Sequence, residues 1–314
     1  MSPGPAGARV RTVYLGSGAF GAPALRRLAA HPRIELVGVV TAPARPVGRH
    51  AVPTLTPIAA LAAEVGIAPV LAPERLRAPD AVAAVLALEP LLAVLADYGQ
   101  MVPPALLALM HGALNLHPSA LPRYRGASPI PATIANGDED TAVSLIRMDA
   151  GLDTGPLVAQ VRIPLSGRET APELERRLAD LAADLLDSSL ERWLDDELPA
   201  VPQPAGGAAF TRPLRRSDGL LDAGRTAVEL ERLVRAYEPW PGTHAELDGE
   251  RLVVAAARVA PSMPGDVPGA LVREGHEPAL ATSDGRLVLE RVTPPGRRPM
   301  PGADWLRGRR QPRG

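Results

Sequence analysis

Apolar runs RTVYLG (11–16), IELVGVVT (34–41), PLLAVLAD (90–97), GALNLH (112–117), AVSLIRM (142–148) and LVAQVRIP (157–164) are separated, over the first half of the chain, by helical stretches such as APALRRLAAH (22–31), TPIAALAAEVG (56–66) and PDAVAAVLAL (79–88). Parallel strands need a crossover, and a helix is the usual one, so strand and helix taken in turn build βαβ units around a mostly parallel sheet. Such a sheet is covered on both faces and demands many apolar residues. The 314 residues are 46% hydrophobic, enough for a sizeable core and for two domains.

The stretch 169–198 carries Leu174, Leu178, Leu181, Leu185 and Trp193 at helical spacing. It opens with Thr170 and Glu173, the pattern of a capping box, and is expected to form one long amphipathic helix with its apolar face in the core. Pro, Gly and Ala crowd PQPAGGAA (202–209), the composition of a linker. Beyond it come a helix, AVELERLVRAYEPW, and short β-like runs, HAELDG, RLVVAAARVA, GALVREG, PALATSDG and RLVLERVT, at the spacing of a small barrel. The expected organisation is a flexible extension over 1–9, a sheet domain over 10–201, a linker over 202–209 and a barrel domain over 210–314.

Composition removes several chemistries. All 34 basic residues are arginine, so a Schiff-base lysine and a P-loop lysine are both excluded. With no cysteine there is no disulfide framework, thiol nucleophile or cysteine-zinc site. The net charge of -1 does not suit a uniformly basic nucleic-acid binder, yet residues 210–314 hold 17 Arg against 14 acidic groups, which makes that end the positive one. No signal core or membrane-length apolar run is present, and a cytoplasmic protein is expected; nothing in the sequence demands more than a monomer.

Gly16, Gly18 and Gly21 in VYLGSGAFG spell G-x-G-x-x-G after the first strand, the pattern of a dinucleotide-binding turn. That function also needs an acidic residue on the ribose at the end of the second strand. The chain there reads Ala42, Pro43, Ala44, Arg45, with no carboxylate. An arginine could suit a 2'-phosphate, but a tight strand-to-helix turn is the reading favoured here.

The residues that chemistry needs are concentrated in ALNLHPSALPRYRGASPIPATIANGDEDTAVSLIRMDAGLDTG, 113–155. On a strand, Asn115 and His117 point to one face, about 6–7 Å apart along the backbone, which puts an amide donor and an imidazole in one pocket. Open α/β sheets place their sites at the C-terminal ends of strands. The glycine-bent loop MDAGLDTG can return Asp149 or Asp153 to the imidazole and orient it for acid–base work. His50 and His111 add no second ligand at suitable spacing, so no metal is expected.

NLHPSALPRYRGASPI followed by MDAGLDTG closely resembles the methionyl-tRNA formyltransferase family, within the wider group that uses 10-formyltetrahydrofolate. TAPARPVGR, ADYGQMVP, VRAYEPWPGTHAEL and PPGRRPMPGADWLRGRR resemble further family segments in the same order, so the likeness spans nearly the whole chain. It implies a Rossmann-like domain that binds no NAD, followed by an OB-like barrel. It also implies transfer of a formyl group from 10-formyltetrahydrofolate to the amino group of initiator methionyl-tRNA. The family's catalytic Asn, His and Asp fall on Asn115, His117 and Asp153. Folate is expected against Tyr98, Gly99, Gln100, Met101 and Val102, the loop Ala150, Gly151 and Leu152, and Ser119, Leu121 and Pro122. Candidate tRNA contacts are Arg45, Arg49, Arg123, Arg125, Arg297, Arg298, Arg307, Arg309 and Arg310. Two departures stand out: Gly18 replaces a proline usual in the family, and His50, Ala51 and Val52 stand where many members carry glycine and a lysine pair.

Three other readings compete, one of them a non-catalytic RNA-binding relic, against which the intact Asn115, His117 and Asp153 count. A formyltransferase acting on a small amine, such as a nucleotide-linked amino sugar, would share Asn115, His117 and Asp153; the TAPARPVGR loop and the arginine-rich C-terminal region count against it. An NAD(P)-dependent oxidoreductase would leave the 113–155 cluster unexplained.

Overall fold

The computed structural model describes residues 9–47 and 52–309. The chain divides into two compact units: the first takes residues up to 129 with 140–164 and 175–211, the second 130–139, 165–174 and the chain from 212 onward. The 202–209 stretch, expected to be a linker, lies within the first unit, and two short mid-chain segments belong to the second.

In order, the elements are β1 (Val10–Gly16), α1 (Ala22–Ala30), β2 (Ile34–Val40), β3 (Arg45–Val47), β4 (Val52–Thr54), α2 (Pro57–Glu64), β5 (Val70–Leu71), α3 (Pro79–Leu86), β6 (Leu92–Ala96), α4 (Pro104–Leu107), β7 (Ala113–His117), β8 (Arg125–Gly126), α5 (Pro129–Asn136), β9 (Asp140–Arg147), β10 (Leu157–Pro164), α6 (Ala171–Leu194) and β11 (Phe210–Thr211). The first unit's main sheet has the order β10-β9-β7-β6-β1-β2-β5. β1, β2, β5, β6 and β7 are parallel, and at one edge β9 pairs antiparallel with both β7 and β10. This is the mostly parallel α/β sheet expected from the alternating runs.

Every residue of β6 is buried, as a central strand covered on both faces requires. Ala93 and Leu95 of this strand pack into one cluster with Val13, Leu15, Val40, Leu76, Val85, Val102 and Leu106. The long helix α6 forms as its spacing predicts, burying Leu174, Leu178 and Leu185, while Trp193 is half-buried and donates its indole N–H to the His111 carbonyl at 3.0 Å. The Thr170 N–H donates to Glu173 Oε2 at 2.9 Å, the capping contact read from the sequence.

The glycines after β1 serve the protein's own packing. A Cβ on Gly16 would lie 2.8 Å from the Ala96 backbone carbonyl, and one on Gly21 3.0 Å from the same carbonyl, whereas at Gly18 the nearest group is the movable carboxylate of Asp97. The buried Tyr14 hydroxyl donates to the Gly21 carbonyl at 2.6 Å and closes the turn from within. A carboxylate against the turn opposes a pyrophosphate there, so the oxidoreductase alternative loses its motif.

The second unit carries α7 (Ala227–Ala236), β12 (Thr243–Leu247), β13 (Glu250–Ala260), β14 (Leu271–Glu274), β15 (Glu277–Ala281), β16 (Arg286–Thr293), β17 (Met300–Pro301) and α8 (Gly302–Gly308). Its strands form an OB-like antiparallel sheet in the order β12-β13-β16-β15-β14, with β17 on β16. Leu230, Leu233, Leu247, Leu252, Leu289 and Trp305 fill its core. Thr226 and Glu229 cap α7 reciprocally. Arg286, 9% exposed, donates to both carboxylate oxygens of Asp266 at 2.7 Å, and this holds the Asp266 carboxyl down at about 2. No helix among the described residues is long and apolar enough to cross a membrane.

Candidate active site

β7 is the last parallel strand, and its C-terminal end carries Asn115 and His117 on one face, two residues apart. The loop after β9 returns Asp153 to them. Asn115 Nδ2 donates to Asp153 Oδ1 at 3.3 Å, and Asp153 Oδ2 stands 3.7 Å from His117 Nδ1. The three side chains picked from the sequence therefore meet, and the His117 and Asp153 side chains are only 6% and 12% exposed.

The orientation of the imidazole differs from expectation. At 3.7 Å the carboxylate is too far for a hydrogen bond to the ring. The ring is fixed instead by the Tyr124 carbonyl, 2.9 Å from His117 Nε2. A carbonyl only accepts, so Nε2 is the donor in this contact, and Nδ1 is the ring nitrogen that faces Asp153. Tyr124 presents that carbonyl from a left-handed backbone (φ 57°) after the cis Leu121–Pro122 peptide.

Asp153 is itself left-handed (φ 51°), and the Gly126 N–H donates to its Oδ2 at 2.8 Å. Gly126 has φ 102° and a Cβ there would meet the Thr211 carbonyl at 2.3 Å, so this position requires glycine. Asp149, the other acidic candidate, turns away: its Oδ1 accepts from the Gly151 N–H at 2.9 Å and from Thr154 Oγ1 at 2.7 Å, shaping the loop.

The remaining candidates divide. Ser119 is buried and donates to the Arg123 carbonyl at 2.7 Å; Leu121 and Pro122 are buried beside it. Gln100 anchors the preceding loop, accepting from the Leu76 N–H at 2.7 Å and donating to the Pro73 carbonyl at 3.1 Å. Met101 and Leu152 are exposed, as are Gly99, Ala150 and Gly151, while Val102 is in the core. Tyr98 is half-buried, its Oη has no hydrogen-bond partner among the described residues, and burial pushes the phenol up to about 12.

Among the arginines, Arg45 is exposed with Glu74 3.9 Å away, and Arg297 and Arg298 are exposed with no ion pair among the described residues. Arg307 pairs with Asp304. Arg309 pairs with Asp248 at 3.1 Å and lies over the Trp305 ring at 4.8 Å. Arg123 donates to its neighbour's hydroxyl, Tyr124 Oη, at 2.8 Å, and Arg125 donates to Gln203 Oε1 at 2.7 and 3.1 Å. Arg49 and Arg310 lie outside the described residues. No group of three or more potential metal ligands is found among the described residues.

Residues 10–190 match the formyl transferase family and 213–310 its C-terminal domain. The methionyl-tRNA formyltransferase of Roseiflexus sp. (strain RS-1) is 43% identical over 303 residues, 96% of this chain and 93% of that protein. The chain belongs to the methionyl-tRNA formyltransferase family. A member from Thermus thermophilus is 41% identical over 301 residues, covering 95% of this chain and 96% of its own. Solved structures share the fold at low identity. HypX from Aquifex aeolicus in complex with tetrahydrofolic acid has a TM-score of 0.63 at 15% identity, over 95% of this chain and 47% of that one. WlaRD, a sugar 3N-formyl transferase, has a TM-score of 0.65 at 14% identity, over 93% and 100%.

Around the three side chains the structure also places groups that sequence reading missed: the Tyr124 carbonyl against His117, and the Gly126 N–H and Gln203 against Asp153. The first two are backbone groups with no side-chain signature, and Gln203 lies in a stretch whose composition reads as a linker.

Proposed function

We propose that this chain transfers the formyl group of 10-formyltetrahydrofolate to the amino group of initiator methionyl-tRNA, with Asn115, His117 and Asp153 at the reacting atoms. The observation that carries the reading is the convergence of an amide, a buried imidazole and a half-buried carboxylate at the end of β7. The unprotonated amine attacks the formyl carbon, a carbon–nitrogen bond forms, and the bond from that carbon to the folate N10 breaks. The proton lost by the amine ends on N10. Asn115 Nδ2 is the donor for the oxyanion as its charge develops, where such a donor acts most strongly in a water-poor site. His117 and Asp153 stand side by side as the groups that pass the proton from the amine towards N10. No covalent enzyme intermediate is needed.

The folate subsite is proposed along 98–102 and 150–152. The Tyr98 hydroxyl, without a hydrogen-bond partner among the described residues, offers a polar group, and the exposed Met101 and Leu152 offer apolar walls for a flat ring. For tRNA, the exposed Arg45, Arg297 and Arg298 are the candidates with the least internal engagement, and phosphate neutralisation by such groups makes binding salt-dependent. Arg125 fits this role poorly, since its guanidinium is already committed to Gln203.

Formylation assays with labelled 10-formyltetrahydrofolate, offering initiator methionyl-tRNA and a nucleotide-linked amino sugar separately, test the reading. Labelled N-formylmethionyl-tRNA is expected. Transfer to the sugar alone would replace it with the small-amine alternative.

A further inference from the structure

We propose that Gln203, held by Arg125, is a positioning residue that sets the backbone of Asp153 for formyl transfer; this rests on the reading of Asp153 given above. Gln203 Nε2 donates to two carbonyls of the loop, Asp153 O and Gly155 O, both at 2.7 Å. Its Oε1 accepts from Arg125 Nη2 at 2.7 Å and Nε at 3.1 Å. A guanidinium only donates and carbonyls only accept, so the amide has one satisfiable orientation.

The contacts close a ring. Arg125 precedes Gly126, whose N–H donates to Asp153 Oδ2 at 2.8 Å. The Arg125–Gly126 pair thus grips Asp153 at its carboxylate through a backbone N–H and at its carbonyl through Gln203. That grip matters because Asp153 sits at φ 51°, a left-handed region uncommon for non-glycine residues although Asp is among those that adopt it, and the contacts on its carboxylate and its carbonyl hold it in that one conformation. The Arg125 strand is tied in turn, since Thr211 Oγ1 donates to the Arg125 carbonyl at 3.1 Å and β8 pairs with β11.

Gln203 borders a cavity of about 390 Å³ that is also lined by Arg125, Thr154, Pro156, Pro202 and Pro204. It does not plug the apolar core, so its replacement leaves no buried hole, and its effect on the site is separable from folding.

The test is a mutant cycle on the full chain. Gln203→Glu keeps the volume and the acceptor for Arg125 but loses both donors; Gln203→Ala removes everything. Single-turnover formyl transfer is measured for each, alone and with Asp153→Ala, alongside steady-state kcat, KM and the thermal midpoint. Both changes are expected to lower kcat about 10- to 100-fold with KM for either substrate within about twofold, as loss of reacting geometry does. In the Asp153→Ala background they should add less than about twofold, because the residue they position is gone. Wild-type kcat in Gln203→Glu, or an equal loss in both backgrounds, would overturn the proposal while leaving Asp153 in place. Full activity of Asp153→Ala alone would overturn the reading beneath it.

Discussion

Asn115 and Asp153 are joined by a hydrogen bond of 3.3 Å from the amide to the carboxylate, across 38 residues of sequence, and His117 lies against the same carboxylate without bonding to it. The carboxylate therefore has two different neighbours, an amide donor aimed at it and an imidazole nitrogen 3.7 Å away that makes no hydrogen bond to it. Asn115→Ala and His117→Ala should each lower single-turnover formyl transfer by about 10²–10³, the usual effect of removing one oxyanion donor or one acid–base group. Retained thermal midpoints would place the losses in chemistry, and rates within about threefold of the parent would refute the assignment.

Gly126 serves the site through its backbone alone. Gly126→Ala puts a Cβ at 2.3 Å from the Thr211 carbonyl on a backbone with φ 102°, so the chain must shift and the N–H contact to Asp153 with it. The variant is expected to lose about 1–3 kcal/mol of stability and to be catalytically impaired even where folded. Urea unfolding and single-turnover rates on the same preparation check both effects.

The second unit has its own pH signature. Asp266, held by Arg286 and the Met263 N–H, has its carboxyl depressed to about 2, below its ordinary value. Its contribution to stability is full above about pH 4, where the unfolded carboxyl is also ionised, and is lost as pH falls through about 2. Asp266→Asn should be less stable than the parent at pH 6, with the gap between the two narrowing below about pH 4. Urea midpoints from pH 6 to 3 measure it, and a gap of constant size would contradict the pairing.

Arg297 and Arg298 offer a charge test. Replacing either with Ala should weaken tRNA binding and reduce the slope of log affinity against log salt by about one if that side chain neutralises a phosphate. Binding titrations at several salt concentrations read the slope directly, and an unchanged slope removes the residue from the interface.

Much of the fold is legible because periodicity reports burial. The apolar runs became strands of the main sheet, the long helix expected in 169–198 formed over Ala171–Leu194, and the short runs after 243 became an antiparallel sheet. Asn115 and His117 were legible because strand alternation puts them on one face. What local sequence does not encode is which distant backbone meets them. The Tyr124 carbonyl that fixes His117, the Gly126 N–H that holds Asp153 and the return of Gln203 all depend on tertiary closure of loops. The glycines at 16, 18 and 21 misdirect for a related reason: glycine marks close approach, and here the approaching groups are Ala96, Asp97 and Tyr14 rather than a phosphate.

The central claim is a formyl transfer that depends on the carboxylate beside His117. Its most direct test is the single-turnover rate of labelled formyl transfer from 10-formyltetrahydrofolate to initiator methionyl-tRNA, for the parent and for Asp153→Ala. The account predicts stoichiometric transfer by the parent and a rate at least about 10²-fold lower in a variant that still folds and binds both substrates. Equal rates in the two proteins, or no transfer by a folded parent given active substrates, would contradict it.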